Sequence, residues 1–402
     1  MQSLYQITNY VNKVPVIIEK LHTDTSQSLI TMSNIFLPST RVGNVKTYGA
    51  MGDGSNDDTN ALQICISSND VINIPPGEYI VTSPIVIRGS RKVIQGNSIN
   101  NTIIKGIWNH GKNYPVMIIN PIEYIGGSNV YSNVVSSLTL NANHDVINNT
   151  HDPGFGDGFL ICSDSTVVEK VKVINAAENG ISTWRYSLDD NNSNFMPLEF
   201  YGLQSRNISQ LFISYSLVEN CTLSGYGAGI NNMSASGAYV YRCAINKCKS
   251  GLGVDYLNFE DTIYDQCQVT DCDKCGWIGG SINNIYKNCT FYNCSNGLYV
   301  DGRVGHLTIK DCDFSFIGSG NQSSCITIED PFWHSNISVN ITRNNFKRIN
   351  GNVLKVLPSL SANDFISHTW NTYIHVTRPD TIWSCNVRYQ NNISLDFNVI
   401  SL

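Results

Sequence analysis

Three acidic residues close short segments of one recurring pattern: Asp255 in Gly-Leu-Gly-Val-Asp (251–255), Asp301 in Gly-Leu-Tyr-Val-Asp (297–301) and Glu329 in Cys-Ile-Thr-Ile-Glu (325–329). Related segments read Gly-Ile-Ser-Thr-Trp (180–184), Gly-Ile-Asn-Asn-Met (229–233) and Gly-Trp-Ile-Gly-Gly (276–280). Second and fourth positions are mostly apolar and point inward in a strand, so the third and fifth face out. The fifth position then forms an exposed column of Trp184, Met233, Asp255, Gly280, Asp301 and Glu329. Neighbouring carboxyl groups suit glycosidic-bond hydrolysis, in which one protonates the leaving oxygen and the other acts as base or nucleophile. Stacking at ~4.8 Å puts Asp301 and Glu329 about 5 Å apart at Cα, and Asp255 and Asp301 about 10 Å apart. The first distance is near the retaining geometry and the second at the edge of the inverting one. Asp301 is therefore one candidate carboxylate, with Glu329 or Asp255 as the other.

The third position contributes Gly253, Ile278, Tyr299 and Thr327, and Tyr299 can stack on a sugar face. Arg303 and His306 follow Asp301, while Asp330 and Trp333 follow Glu329. Together with Trp184 and Tyr299 they are the candidate substrate-binding residues. Each acid alone is equally well read as a solvated strand end; the set, with a central glycine and aromatic neighbours, favours a groove. His306 alone reads as a loop residue. Asp157, in Gly-Phe-Gly-Asp-Gly-Phe (154–159), and Glu178, before Asn179-Gly180, read first as turn residues and only second as groove acids.

These residues need an element that repeats. Cys221, Cys243, Cys267, Cys289 and Cys312 recur at gaps of 22, 24, 22 and 23 residues by subtraction, each followed two places later by an apolar residue. Val171 and Asn344 extend that position in both directions, and Cys248, Cys272 and Cys294 repeat it at a five-residue offset. The period is too short for a propeller blade and lacks leucine-rich-repeat spacing. It fits a parallel β-helix, an all-β solenoid with about three short strands per coil and ladders of like side chains inside. The polar stretch from about Ser182 to Gln210 reads as an insertion.

Composition bounds the rest. A solenoid of 402 residues remains one domain by adding coils. A net charge of −6 argues against nucleic acid as a partner. Thirteen cysteines are an odd number placed at the coil period, so buried reduced thiols are expected rather than disulfides. Zinc is the alternative through Cys272 and Cys275, but no second pair or histidine stands at finger spacing, so no metal or cofactor is expected. The N-terminus shows no secretory signal, and no apolar run is long enough to span a membrane.

Residues 45–66 (Val-Lys-Thr-Tyr-Gly-Ala-Met-Gly-Asp-Gly-Ser-Asn-Asp-Asp-Thr-Asn-Ala-Leu-Gln-Ile-Cys-Ile), followed by Val-Ile-Asn-Ile-Pro-Pro-Gly-Glu-Tyr-Ile-Val at 71–81, resemble the opening of pectate-lyase-like right-handed β-helices. There, Gly52 and Gly54 allow tight turning, Asp57 or Asp58 caps a helix, and Ala61, Leu62, Cys65 and Ile66 cover the open end of the stack. Asp53, Asp57 and Asp58 are read as turn and cap residues rather than catalysts. The resemblance covers residues 45–350, which it implies are a right-handed parallel β-helix; residues 1–44 alternate apolar and polar and read as an anchor or collar, and residues 351–402, with Trp370, Tyr373, Trp383, Tyr389 and Phe397 amid β-branched residues, read as C-terminal coils or an assembly region. With no secretion signal, the chain is most similar to phage or viral tailspikes. That likeness implies a virion-borne homotrimer that binds and degrades a cell-surface polysaccharide. The alternatives are a lyase acting on a uronate glycan and a non-catalytic glycan-binding spike. Gly305-His306 resembles a fragment of the polygalacturonase motifs, but the Asp-Asp pair that accompanies it there and the Arg-Ile-Lys sequence are absent.

Overall fold

The structure is a computed structural model. It describes residues 40–108, 114–119, 132–144, 156–163, 165–183, 186–188, 195–197, 208–209, 211–221, 228–232, 235–254, 262–279, 283–301, 305–319, 323–329, 337–356, 365–382 and 386–394. The chain is a right-handed parallel β-helix. A coil contributes three strands, each paired in parallel with its counterparts in the coils before and after. The first face stacks Phe212–Ser214, Ala238–Tyr241, Thr262–Asp265, Asn283–Lys287, His306–Lys310 and Ser338–Thr342. The second stacks Leu217–Glu219, Ala244–Asn246, Gln268–Thr270, Thr290–Tyr292 and Asp313–Ser315. The third stacks Ile230–Asn232, Ser250–Val254, Lys274–Ile278, Asn296–Asp301 and Ser324–Glu329. The described strands continue this pairing as far as Ile393–Ser394.

One left-handed residue makes each bend between the first and second faces. Tyr215, Arg242, Gln266, Asn288, Asp311 and Arg343 all have φ between 49° and 56°. Such a conformation costs a non-glycine residue roughly 1–2 kcal/mol. It is offset by a hydrogen bond to the next coil: Arg242 N to Asp265 O at 3.0 Å, Gln266 N to Lys287 O at 3.1 Å and Asn288 N to Lys310 O at 3.1 Å.

Inside, like residues stack on like. Cys243, Cys267, Cys289 and Cys312 form one buried ladder, which Asn344 and Asn371 continue; Asn344 Oδ1 accepts from Cys312 N, and Asn371 Oδ1 from Asn344 N, both at 2.9 Å. Cys221 belongs elsewhere. Leu217 is level with Ala244, so Cys221 is level with Cys248, and its N–H points at the Cys248 sulfur 3.4 Å away. Ser216 takes the place below Cys243 that the repeat had given to Cys221, and Val171 lies below Ser216, donating its N–H to Ser216 Oγ at 3.3 Å. The described cysteines are free and buried. Burial pushes the thiols of Cys267, Cys289 and Cys312 well above their ordinary value, so they stay neutral. Phe291, Phe314 and Phe346 stack beside them at 4.7 and 5.1 Å between ring centres.

The helix Thr59–Ser68 closes the N-terminal end with Leu62, Cys65 and Ile66 buried. Asp57 caps it, accepting from Thr59 N at 3.0 Å and binding Thr82 Oγ1 at 2.8 Å. Asp58 instead turns back, accepting from Gly52 N at 2.9 Å and Met51 N at 2.5 Å. The segment anticipated as an insertion contains an antiparallel pair, Tyr186–Leu188 with Phe195–Pro197, separate from the coil sheet. Residues 1–39 lie outside the described residues.

Candidate functional site

The third face carries the candidate groove. Parallel pairing sets Asp301 directly against Glu329, and Tyr299 against Thr327. Paired Cα atoms in such a ladder are ~4.8 Å apart. The Tyr299 hydroxyl donates to Glu329 Oε2 at 2.6 Å, which fixes one carboxylate oxygen and leaves the other available. Trp277 is level with Tyr299, and the two rings meet edge to face at 6.0 Å. Lys274 Nζ lies 5.6 Å from the Trp277 ring centre, a cation against the π face.

Trp277 is a residue that sequence reasoning placed wrongly. The pattern Gly-Trp-Ile-Gly-Gly put Ile278 in the outward third position and Gly280 in the acid column. The pairing shows a one-residue shift: Gly276 is level with Leu252 and Leu298, and Ile278 is level with Val254 and Val300. Ile278 is therefore buried, and Trp277 faces the groove. Gly279, one residue beyond the Ile278–Val300 pair, is the glycine level with Asp301. On the same face, Gly253 lacks the Cβ that would stand 2.9 Å from Asn231 Oδ1 and 2.8 Å from Ala228 Cβ, so Asn231 lies over its bare backbone.

Asp301 and Glu329 thus stand level in adjacent coils, with Tyr299 bound to Glu329. His306 opens the following strand on the first face, level with Asn283 and Ser338, and is exposed. Trp184, Asp255, Arg303, Asp330 and Trp333 lie outside the described residues.

A polar chain runs along this face through the acids read first as turn residues and only second as groove acids. Asp157 is fully buried, and its Oδ1 accepts from Asn179 N at 2.9 Å and Nδ2 at 2.8 Å, while Ser182 Oγ donates to Oδ2 at 2.5 Å. Asn179 Oδ1 in turn accepts from Ala228 N at 2.8 Å and Asn231 Nδ2 at 3.0 Å, in the next coil. Burial pushes the Asp157 carboxyl up, against the pull of those donors. Burial first, and the neighbouring Asp157 charge second, raise Glu178 from 4.5 to about 8. Their spacing, 21 residues by subtraction, was the signal that the two acids meet across adjacent coils.

The sequence profile of the family described as "Rhamnogalacturonase A/epimerase, pectate lyase-like" matches residues 42–278, more than half of the chain. The chain belongs to this family. A pre-neck appendage protein of Bacillus phage B103 is 32% identical over 152 residues, which is 36% of this chain and 17% of that protein. The chain therefore spans under a fifth of that relative's length. Among solved structures, an N-terminal fragment of bacteriophage phi29 gene product 12 aligns with TM-score 0.64 and 13% identity, covering 92% of this chain and 68% of the fragment. A hyperthermoactive exopolygalacturonase from Thermotoga maritima aligns with TM-score 0.64 and 11% identity, covering 92% and 96%. At those identities the likeness is one of fold. Members of this polysaccharide-active family differ in reaction, so the chemistry must be argued from the groove.

Proposed function

We propose that the protein binds a cell-surface polysaccharide along its third face and hydrolyses it with Asp301 and Glu329. The observation that carries this reading is the Tyr299 hydroxyl bound to Glu329 at 2.6 Å, in the coil pair where Asp301 stands opposite Glu329. A carboxylate that accepts from a tyrosine is oriented as base or nucleophile, which leaves Asp301 to protonate the departing oxygen. A spacing of ~4.8 Å between paired backbones favours direct attack over an interposed water, hence retention of anomeric configuration. Trp277 and Tyr299 supply aromatic edges and faces for the sugar rings. Likeness to a phage appendage protein supports a place on a virion.

The test is incubation with a panel of bacterial surface polysaccharides, following chain length and the absorbance of unsaturated uronates. Shortening without absorbance supports hydrolysis. Shortening with absorbance replaces the two-carboxylate mechanism by elimination, and binding without shortening leaves a glycan-binding spike.

A further inference from the structure

Beyond the second-face strands, each coil again bends at one left-handed residue. In successive coils these are Asp271, Asn293, Phe316, Arg348 and His375, with φ between 52° and 56°. Asparagine and aspartate tolerate that conformation because their short side chains bond locally; a bulky ring does not. Phe316 makes the inter-coil bond of the other bends, its N–H donating to Lys347 O at 3.1 Å, yet its ring remains 39% exposed. Tyr292, from the preceding coil, is 43% exposed and meets Phe316 edge-on at 5.2 Å and 66°. On the other side, the Arg348 guanidinium sits 5.0 Å from the Phe316 ring centre. Lys347 and Arg348 are both exposed, and among the described residues Arg348 makes no ion pair with a carboxylate. In a chain of net charge −6, an aromatic corner flanked by two exposed cations is a local reversal of sign.

We propose that Tyr292, Phe316, Lys347 and Arg348 form a second glycan site, apart from the acid column, that holds an acidic pyranose. Two rings at an angle receive the C–H face of a sugar, and the guanidinium receives its carboxylate in a two-pronged contact that lysine cannot reproduce. Backbone strain kept at an exposed aromatic fits a residue retained for what it binds. The choice of a sugar as ligand rests on the polysaccharide reading above. The site does not depend on hydrolysis.

The experiment measures binding of oligogalacturonate, of alginate and of neutral laminarin to the full chain, by calorimetry at low and high salt. The wild type is expected to bind an acidic polymer, more weakly as salt rises, and to prefer it to laminarin. Phe316→Asn gives the bend a residue that suits it, so Tm should not fall, while affinity drops at least tenfold. Arg348→Gln should lose the preference for acidic over neutral polymer, and Tyr292→Ala provides an independent loss of ring contact. Turnover by Asp301 and Glu329 should persist in all three, whereas Glu329→Gln should bind normally here. Unchanged affinity in folded Phe316→Asn and Arg348→Gln overturns the proposal, as does failure of the wild type to bind either acidic polymer. A wild type that binds in this way but cleaves nothing would refute the hydrolytic reading alone.

Discussion

Replacing Glu329 by Gln keeps the shape of the side chain and the strand pairing but removes the carboxylate that the Tyr299 hydroxyl holds. Cleavage is expected to fall by roughly 10²–10⁴ for Glu329→Gln and for Asp301→Asn, with glycan binding kept, as reducing-end release and calorimetry would show together. Tyr299→Phe should lower turnover less and leave the circular dichroism spectrum unchanged. Glu178 allows a prediction about pH. Its carboxyl titrates at about 8 when folded against 4.5 ordinarily, so the native state holds a proton that the unfolded chain releases. Its contribution is full below 4.5 and lost as pH rises through about 8. Melting curves across that window should fall more steeply for the wild type than for Glu178→Gln, and a parallel course would remove Glu178 as the cause. The register that sets Asp301 level with Glu329 was legible because both end segments of clean alternation. Trp277 was not, because the glycines around it offered two alignments, and a one-residue slip exchanges the inner and outer faces.

At the level of the coil, side-chain ladders decide which strands can follow one another. The period announced them, yet two cysteine ladders only five residues apart left the membership of Cys221 ambiguous: its spacing suits Cys243, whereas hydrogen bonding puts it under Cys248. Identical side chains carry no label for their row. The period placed an inward apolar row two residues after the cysteine position, and Phe291, Phe314 and Phe346 are successive members of it; the ring stacking itself was not in the period, because any apolar side chain satisfies that position. Phe314, fully buried between Phe291 and Phe346, should cost about 3–5 kcal/mol on truncation to alanine. Chemical denaturation would register this as a lower midpoint; a loss under 1 kcal/mol would mean that neighbouring coils close the gap.

Across the whole molecule, the opening motif foretold both the fold and the helix that seals one end. Leu62, Cys65 and Ile66 cover coil interiors that would otherwise meet water. Fold was more legible than function, because period and cap are distributed over many residues, while a groove depends on the few that escape repetition.

The inter-coil hydrogen bonds that anchor the left-handed bends run along the helix axis, and so do those of every strand pair. Tension applied between the two ends therefore pulls these bonds in line, and a terminal coil can detach while the others remain paired. At ~3.5 Å per extended residue, a coil of about 23 residues would release about 80 Å of chain. A single-molecule pulling trace should show a staircase of such steps in place of one rupture. A rod built this way gives length to a load gradually, absorbing work before it parts.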